Sequence, residues 1–239
     1  MATASDVKRA LRVRADGVTA TNLARFFQTE PGGYGEGDRF LGLRVPQVRS
    51  VAERYSDLSN TQIRALMRSR FHEDRFCALA ILTSRFQKPD ADRAGLWRLY
   101  LELLDEGGIN NWDLVDATAP HLGQFLVSEK NPMTTIRSLI KSRDLWHQRV
   151  GVMVTWAFIK KGDLEPTFTV CEYLIDHPHA LIHKASGWML REAGKRNIGA
   201  LREFLELHHR EMPRSMLRYA IEKMAPAERA RWRVNDDHP

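Results

Sequence analysis

Apolar positions along this chain recur three and four residues apart, and alternating β-branched runs of strand type are missing. The spacing predicts helix after helix: near 5–14, 17–28, 46–56, 60–69, 73–87, 91–106, 111–128, 134–142, 144–161, 165–176, 181–196, 198–209 and 214–224. Ser59 or Asn60 can cap the helix that starts near Thr61. Pro46 suits a first turn, where its missing N–H has no partner to lose. Pro120 falls inside the 111–128 pattern and should kink it. Most connections are short, so neighbouring helices should pair antiparallel. Pairs recur at roughly 35 to 45 residues without a clean sequence period. The expected fold is therefore all-α: one domain over 1–239, a curved solenoid of antiparallel helix pairs of HEAT or armadillo type. The long connection from Thr29 to Leu43 is rich in glycine, with Pro31-Gly32-Gly33-Tyr34-Gly35-Glu36-Gly37. It reads equally as an ordinary interhelical loop and as a segment that approaches a ligand.

Two polar groups interrupt these apolar stripes, and a tryptophan among cations lies beside a third. On a helix over 111–128, positions 112, 115, 116, 119, 122 and 126 share one face and read Trp, Val, Asp, Ala, Leu, Leu. Asp116 thus sits in an apolar stripe one turn after Trp112, where a carboxylate must be paired, protonated or functional. Asp113 projects elsewhere, onto the face of Ala117, Pro120 and Gln124, and complements the helix dipole in the first turn. Arg149 interrupts a second stripe formed with Leu145, Val152, Met153 and Trp156, and needs an acid or a phosphate. A structural pair with Asp116, or a guanidinium reaching out to water, would also satisfy it. Trp188 lies in register with Lys184, Arg191 and Lys195, beside a core stripe of Ile182, Ala185 and Met189, and Gly187 opens space before it. A tryptophan among cations is a platform for a nucleotide or a cationic group, or else a plug at the core's edge.

Composition narrows the class. Of 239 residues, 43% are hydrophobic and 28% charged, which suits a soluble globular chain. No apolar run approaches the roughly 20 residues of a membrane span. Met1 to Asp6 lacks the basic and apolar regions of a signal peptide, so a cytoplasmic protein is expected. Cys77 and Cys171 read as buried free thiols. The net charge of +6 is not spread evenly: residues 180–233 hold 12 Lys and Arg against 6 Asp and Glu, and the rest holds 24 against 24. A localised basic surface suggests an anionic partner such as nucleic acid. His177, His179 and His183 have loosely metal-like spacing but lack an HExxH helix and paired cysteines, so no metal is expected. Without GxGxxG, GxxxxGK[ST] or GxSxG, no nucleotide cofactor is expected either.

Six segments, taken in order, resemble those of the AlkD-like DNA alkylation repair proteins, DNA glycosylases built from HEAT-like repeats. They are Arg25 to Thr29, Tyr34 to Pro46, Asn110 to Asp116, Leu145 to Arg149, Ile182 to Glu192 and Met212 to Ala220. In that family a Trp and an Asp one turn apart, an Arg on a later helix and a second Trp line a concave DNA-binding cleft. The resemblance places these roles on Trp112, Asp116, Arg149 and Trp188. It implies excision of cationic N3- and N7-alkylpurines from duplex DNA without base flipping; an abasic site is the expected product, no cofactor is expected, and a solenoid closed by its own terminal helices can be a monomer. Some relatives take bulky adducts in self-resistance to genotoxic natural products. Asp116 would be catalytic; Trp112, Arg149, Trp188, Lys184, Arg191 and Lys195 would contact DNA. A catalytically silent DNA-binding relative and a protein-binding helical scaffold are the rival expectations.

Overall fold

The computed structural model describes residues 2–233. It is all-α, with no strand among the described residues; Arg39 and Phe71 form one isolated bridge. The chain falls into two compact units, one ending at Leu122 and the other beginning at Gly123.

The first unit contains α1 (Ala4–Arg12), α2 (Gly17–Phe26), α3 (Val45–Arg54), α4 (Asn60–Met67), α5 (His72–Phe86), α6 (Arg93–Asp105), α7 (Trp112–Asp116) and α8 (Ala119–Leu122). The starts have local causes. The Ser59 side chain accepts from the Gln62 amide, and Pro46 occupies the first turn of α3. The central element is α5, which packs on α3 and α4 and buries Cys77, Leu79, Ile81, Leu82 and Phe86. Each such side chain stabilises the fold by about 1.5–3 kcal/mol when fully buried.

The second unit contains α9 (Gln124–Val127), α10 (Pro132–Ile140), α11 (Leu145–Met153), α12 (Thr155–Lys161), α13 (Glu165–Tyr173), α14 (Ala180–Arg196), α15 (Ile198–His208), α16 (Arg214–Ala220) and α17 (Pro226–Arg233). Here α14 is central and packs on α11, α13, α15 and α16. Glycines allow the close approach. A Cβ on Gly187 would lie 2.4 Å from the Met216 carbonyl oxygen, and one on Gly194 2.4 Å from Leu201 Cδ2. The space beside Gly187 is therefore filled by α16, not left open for a ligand.

Three expectations about helices need correction. The segment 111–128 is three helices, not one kinked helix. Pro120 has no N–H to offer the Asp116 carbonyl, and the Thr118 hydroxyl bonds the Leu114 carbonyl at 2.6 Å, so the chain turns before the proline. The segment 144–161 is divided at Val154, where the Thr155 hydroxyl bonds the Val152 carbonyl at 2.7 Å. Helix α17 lies beyond the last expected element and buries only Trp232.

The glycine-rich connection is tied down internally. Glu73, at the start of α5, is buried, and its carboxylate accepts from the amides of Leu41, Gly42 and Leu43 at 2.9, 2.9 and 3.1 Å. Gly42 has φ +87°, and a Cβ there would meet the Asp16 carbonyl oxygen at 2.0 Å. The loop thereby delivers Tyr34, Asp38 and Phe40 to the residues around α7.

Candidate functional site

In the first unit, Trp112 and Asp116 open and close α7, one turn apart on one face, and both are half-buried. Asn111 starts the helix, its side-chain oxygen accepting from the Trp112 amide at 2.8 Å. The other members of the expected stripe, Val115, Ala119, Leu122 and Leu126, are buried. Trp112 stacks on Phe27 (centroids 5.3 Å apart, planes 20° apart) and meets the edge of Phe26 at 5.9 Å. Its indole N–H donates to the Tyr34 hydroxyl at 3.2 Å, which in turn donates to the Phe26 carbonyl. Phe26 itself is 62% exposed, so the aromatic group ends at solvent. Nothing in the helical periodicity singled out Phe26 or Tyr34. Asp116 is near enough to raise the Tyr100 phenol, which burial already pushes up and a bond from Thr118 partly offsets.

Asp113 is not the ordinary first-turn acid its position suggested. His72 is only 3% exposed and bridges two carboxylates: Nε2 lies 2.8 Å from Asp113 and Nδ1 3.1 Å from Asp38. Arg75, also buried, donates to Asp38 at 2.7 Å and to the Asn110 side-chain oxygen at 3.1 Å. Burial opposes charge on His72, but the Asp113 carboxylate and the bonds from both acids outweigh it and push the pKa up to about 9. Burial likewise opposes ionisation of Asp38, and the bond from His72 with the nearby Arg75 charge holds its carboxyl below the usual range. The imidazole also stacks on Phe40 at 4.8 Å and Phe27 at 5.1 Å, the ring that carries Trp112. Two cations and two anions thus fasten α7 and the glycine-rich loop to α5.

In the second unit, Arg149 is 4% exposed and its guanidinium donates to the Leu181 carbonyl at the start of α14. Asp144 caps the Arg149 helix by accepting from the Trp146 and His147 amides. Trp188 is half-buried and 6.2 Å from Trp156, itself covered by Lys160 at 5.3 Å. The indole N–H of Trp188 donates to Glu192 at 3.3 Å. That same carboxylate takes Arg191 at 3.2 Å and Lys195 at 2.7 and 2.8 Å. Arg191 also pairs with Glu222. Two of the four cations expected to meet DNA, Arg191 and Lys195, are therefore already partnered by acids, and Glu192 is the residue the sequence reading passed over. Lys184, one turn before Trp188, is exposed.

The histidines of the 177–183 segment serve their own backbone: His177 Nδ1 accepts from the His179 amide and His179 Nδ1 from the Leu181 amide. Among the described residues no group of three or more His, Cys, Asp or Glu could hold a metal ion. No helix among them is long and apolar enough to cross a membrane. Both cysteines are buried free thiols, each pushed up to about 12 by burial first.

These features define an all-α protein of paired helices in which polar and aromatic side chains interrupt the apolar faces of α7, α11 and α14. The sequence profile of the DNA alkylation repair enzymes matches residues 7–224, and the chain belongs to that family, with a role in the repair of alkylated DNA. The fold is similar to a solved structure of an Enterococcus faecalis protein described as a predicted DNA alkylation repair enzyme. That similarity has a TM-score of 0.67 at 16% identity, over 89% of this chain and 97% of the other. No curated protein matches the chain.

Proposed function

We propose that the protein is a monofunctional DNA glycosylase that hydrolyses the N-glycosidic bond of N3- and N7-alkylated purines in duplex DNA. The observation that carries this reading is Asp116, a half-buried carboxylate on the same short helix face as Trp112, beside an aromatic group that reaches solvent. Alkylation makes the purine cationic and a better leaving group. As the bond to C1′ breaks, its electron pair passes to the purine and cancels that charge, and the deoxyribose becomes oxocarbenium-like. A fixed carboxylate stabilises the sugar's positive charge. It also holds the attacking water and takes its proton as the water oxygen bonds to C1′. Asp116 performs both tasks, and the products are a neutral free base and an abasic site. No lysine nucleophile is required. The face of Trp112 supports the cationic base or sugar, a contact worth roughly 0.5–2 kcal/mol.

The second unit contributes binding. Trp188 offers a ring face, and Arg149, Lys184, Arg191 and Lys195 are its candidates for DNA contact. The protein acts as a monomer and in the cytoplasm.

The test is incubation with duplex DNA carrying N7-methylguanine, scored for released base and heat-labile abasic sites, with Asp116→Asn in parallel. Release by the parent and at least a hundredfold slower release by the variant, with duplex binding retained, is the expected result. Equal rates for the two proteins would remove Asp116 from the chemistry. Salt-sensitive binding without release of this base or of bulky N3-adenine adducts would make the chain a catalytically silent DNA-binding relative.

A further inference from the structure

Asp116 stands on a helix of only five residues. One turn closes few backbone bonds and is marginal by itself, so its direction is set by what it is tied to. Leu114 and Val115, both fully buried, set the depth of α7 but not its rotation, because burial is non-directional. Trp112 is steadied by Phe27 and by the Tyr34 hydroxyl. The remaining tie is Asp113, whose Oδ2 lies 2.8 Å from His72 Nε2. Its Oδ1 is buried without a hydrogen-bond partner among the described residues, so the imidazole alone bonds this carboxylate. Asp113 and Asp116 share one turn, and a rotation that frees the first carboxylate swings the second by the same angle.

His72 is placed to keep that hold. It stands at the head of α5, the central helix of the first unit, with Phe40 stacked on its ring and Phe27 beside it. The charged groups that face it are Asp113 from α7, Asp38 from the glycine-rich loop and Arg75 from its own helix. Asp38 is fixed in turn by Arg75 at 2.7 Å and by the Asn110 side-chain amide at 3.1 Å. Only a doubly protonated imidazole donates to both acids at once. Burial opposes that charge, and the two acids sustain it up to about 9. On losing the proton, the ring turns a bare nitrogen toward one carboxylate, and the bonding that fixes α7 weakens.

We propose that His72 and Asp113 are positioning residues for base excision: the protonated imidazole, gripping Asp113, fixes the direction in which α7 presents Asp116 and the Trp112 ring. The inference rests on the proposed function, because it takes Asp116 as the carboxylate that meets the sugar. Neither residue touches DNA in this role, so its loss slows the reaction and leaves affinity nearly intact. The hold also gives excision an alkaline limit, reached as His72 loses its proton while the chain is still folded.

The experiment measures single-turnover release of N7-methylguanine from duplex DNA at saturating full-length protein, corrected for release without protein. Duplex affinity is read beside it by fluorescence anisotropy. The proteins are the parent, Asp113→Ala, Asp113→Asn and Leu11→Ala, the last opening a cavity in α1, a helix packed on α3, α4 and α5. At about pH 6.5, Asp113→Ala should release base at least about tenfold more slowly, with affinity within about threefold, because a misplaced reacting group costs rate more than binding. Leu11→Ala, destabilised but with α7 still tied, should stay within about twofold of the parent. Asp113→Asn keeps an acceptor for the imidazole and should release base at nearly the parental rate there. Across a series from about pH 6 to about pH 9 it should then fail at lower pH than the parent, since the ring has lost an acid that sustains its charge. Release by Asp113→Ala within about twofold of the parent, an equal fall in Leu11→Ala, or superimposed pH profiles for Asp113→Asn and the parent would each overturn the positioning role while leaving Asp116 in the chemistry. A parent that releases neither this base nor a bulky N3-adenine adduct would overturn the proposed function, and the positioning role with it.

Discussion

Alkaline pH should weaken this fold through one buried side chain. His72 carries its proton up to about 9, against an ordinary value of 6.5, because Asp113 and Asp38 clasp it inside the first unit. The unfolded chain releases that proton near 6.5 and the folded chain holds it longer. The contribution is thus complete below 6.5 and disappears as pH rises through 9. At about 1.4 kcal/mol for each pH unit between the two values, the loss is about 3 kcal/mol. That is a large part of the 5–15 kcal/mol typical of a domain. Urea unfolding of the full chain at steps from about pH 6 to about pH 10 would measure it, with His72→Asn as the comparison. The variant should start less stable, since two buried carboxylates lose a shared cation, and should then vary little with pH across this window. The histidine signal missing from the variant's NMR spectrum identifies His72 in the parent and gives its titration directly. Titration near 6.5, or identical pH profiles for the two proteins, would show that the clasp does not hold the imidazole charged.

Two further substitutions test the packing that positions the candidate residues. Gly187→Ala places a methyl against α16 backbone and should cost about 1–3 kcal/mol, read as a lower unfolding midpoint. An unchanged midpoint would mean that α16 shifts without cost. Glu73→Ala strips three loop amides of their buried acceptor, each worth about 1–3 kcal/mol when left unsatisfied. Amides 41–43 should then exchange with deuterium far faster than those of α5, and equal protection would deny Glu73 this role.

The helical class was legible because burial imposes a 3.6-residue period on long elements such as α5 and α14. The breaks were less so. Pro120 announced a disturbance, but the division beside Asp116 also depends on the Thr118 hydroxyl, whose partner Leu114 no spacing rule selects. Helix α17 was missed because its surface is nearly all polar and a single Trp232 anchors it, which leaves no stripe to read. Asp116 and Arg149 stood out as misfits on apolar faces, and that signal came from the chain itself. The clasp around His72 did not, since its acids lie 34 and 41 residues away. One clue was present: His72, Glu73, Asp74 and Arg75 are four polar residues in succession at the head of an apolar helix, and all four are buried. Glu192 was overlooked for a related reason, because cations flanking a tryptophan drew attention from the acid beside them.

The glycine-rich connection bears on how this chain can change over time. Surface loops ordinarily absorb insertions and deletions without harm. This one is a measured span. Tyr34 holds the Trp112 indole and Asp38 holds His72 and Arg75, with only three residues between the two anchors. Adding or removing one residue there would force the chain to release one anchor to keep the other. Length, more than residue identity, is therefore what this loop cannot vary, although it lies far in sequence from the helix whose tryptophan it steadies.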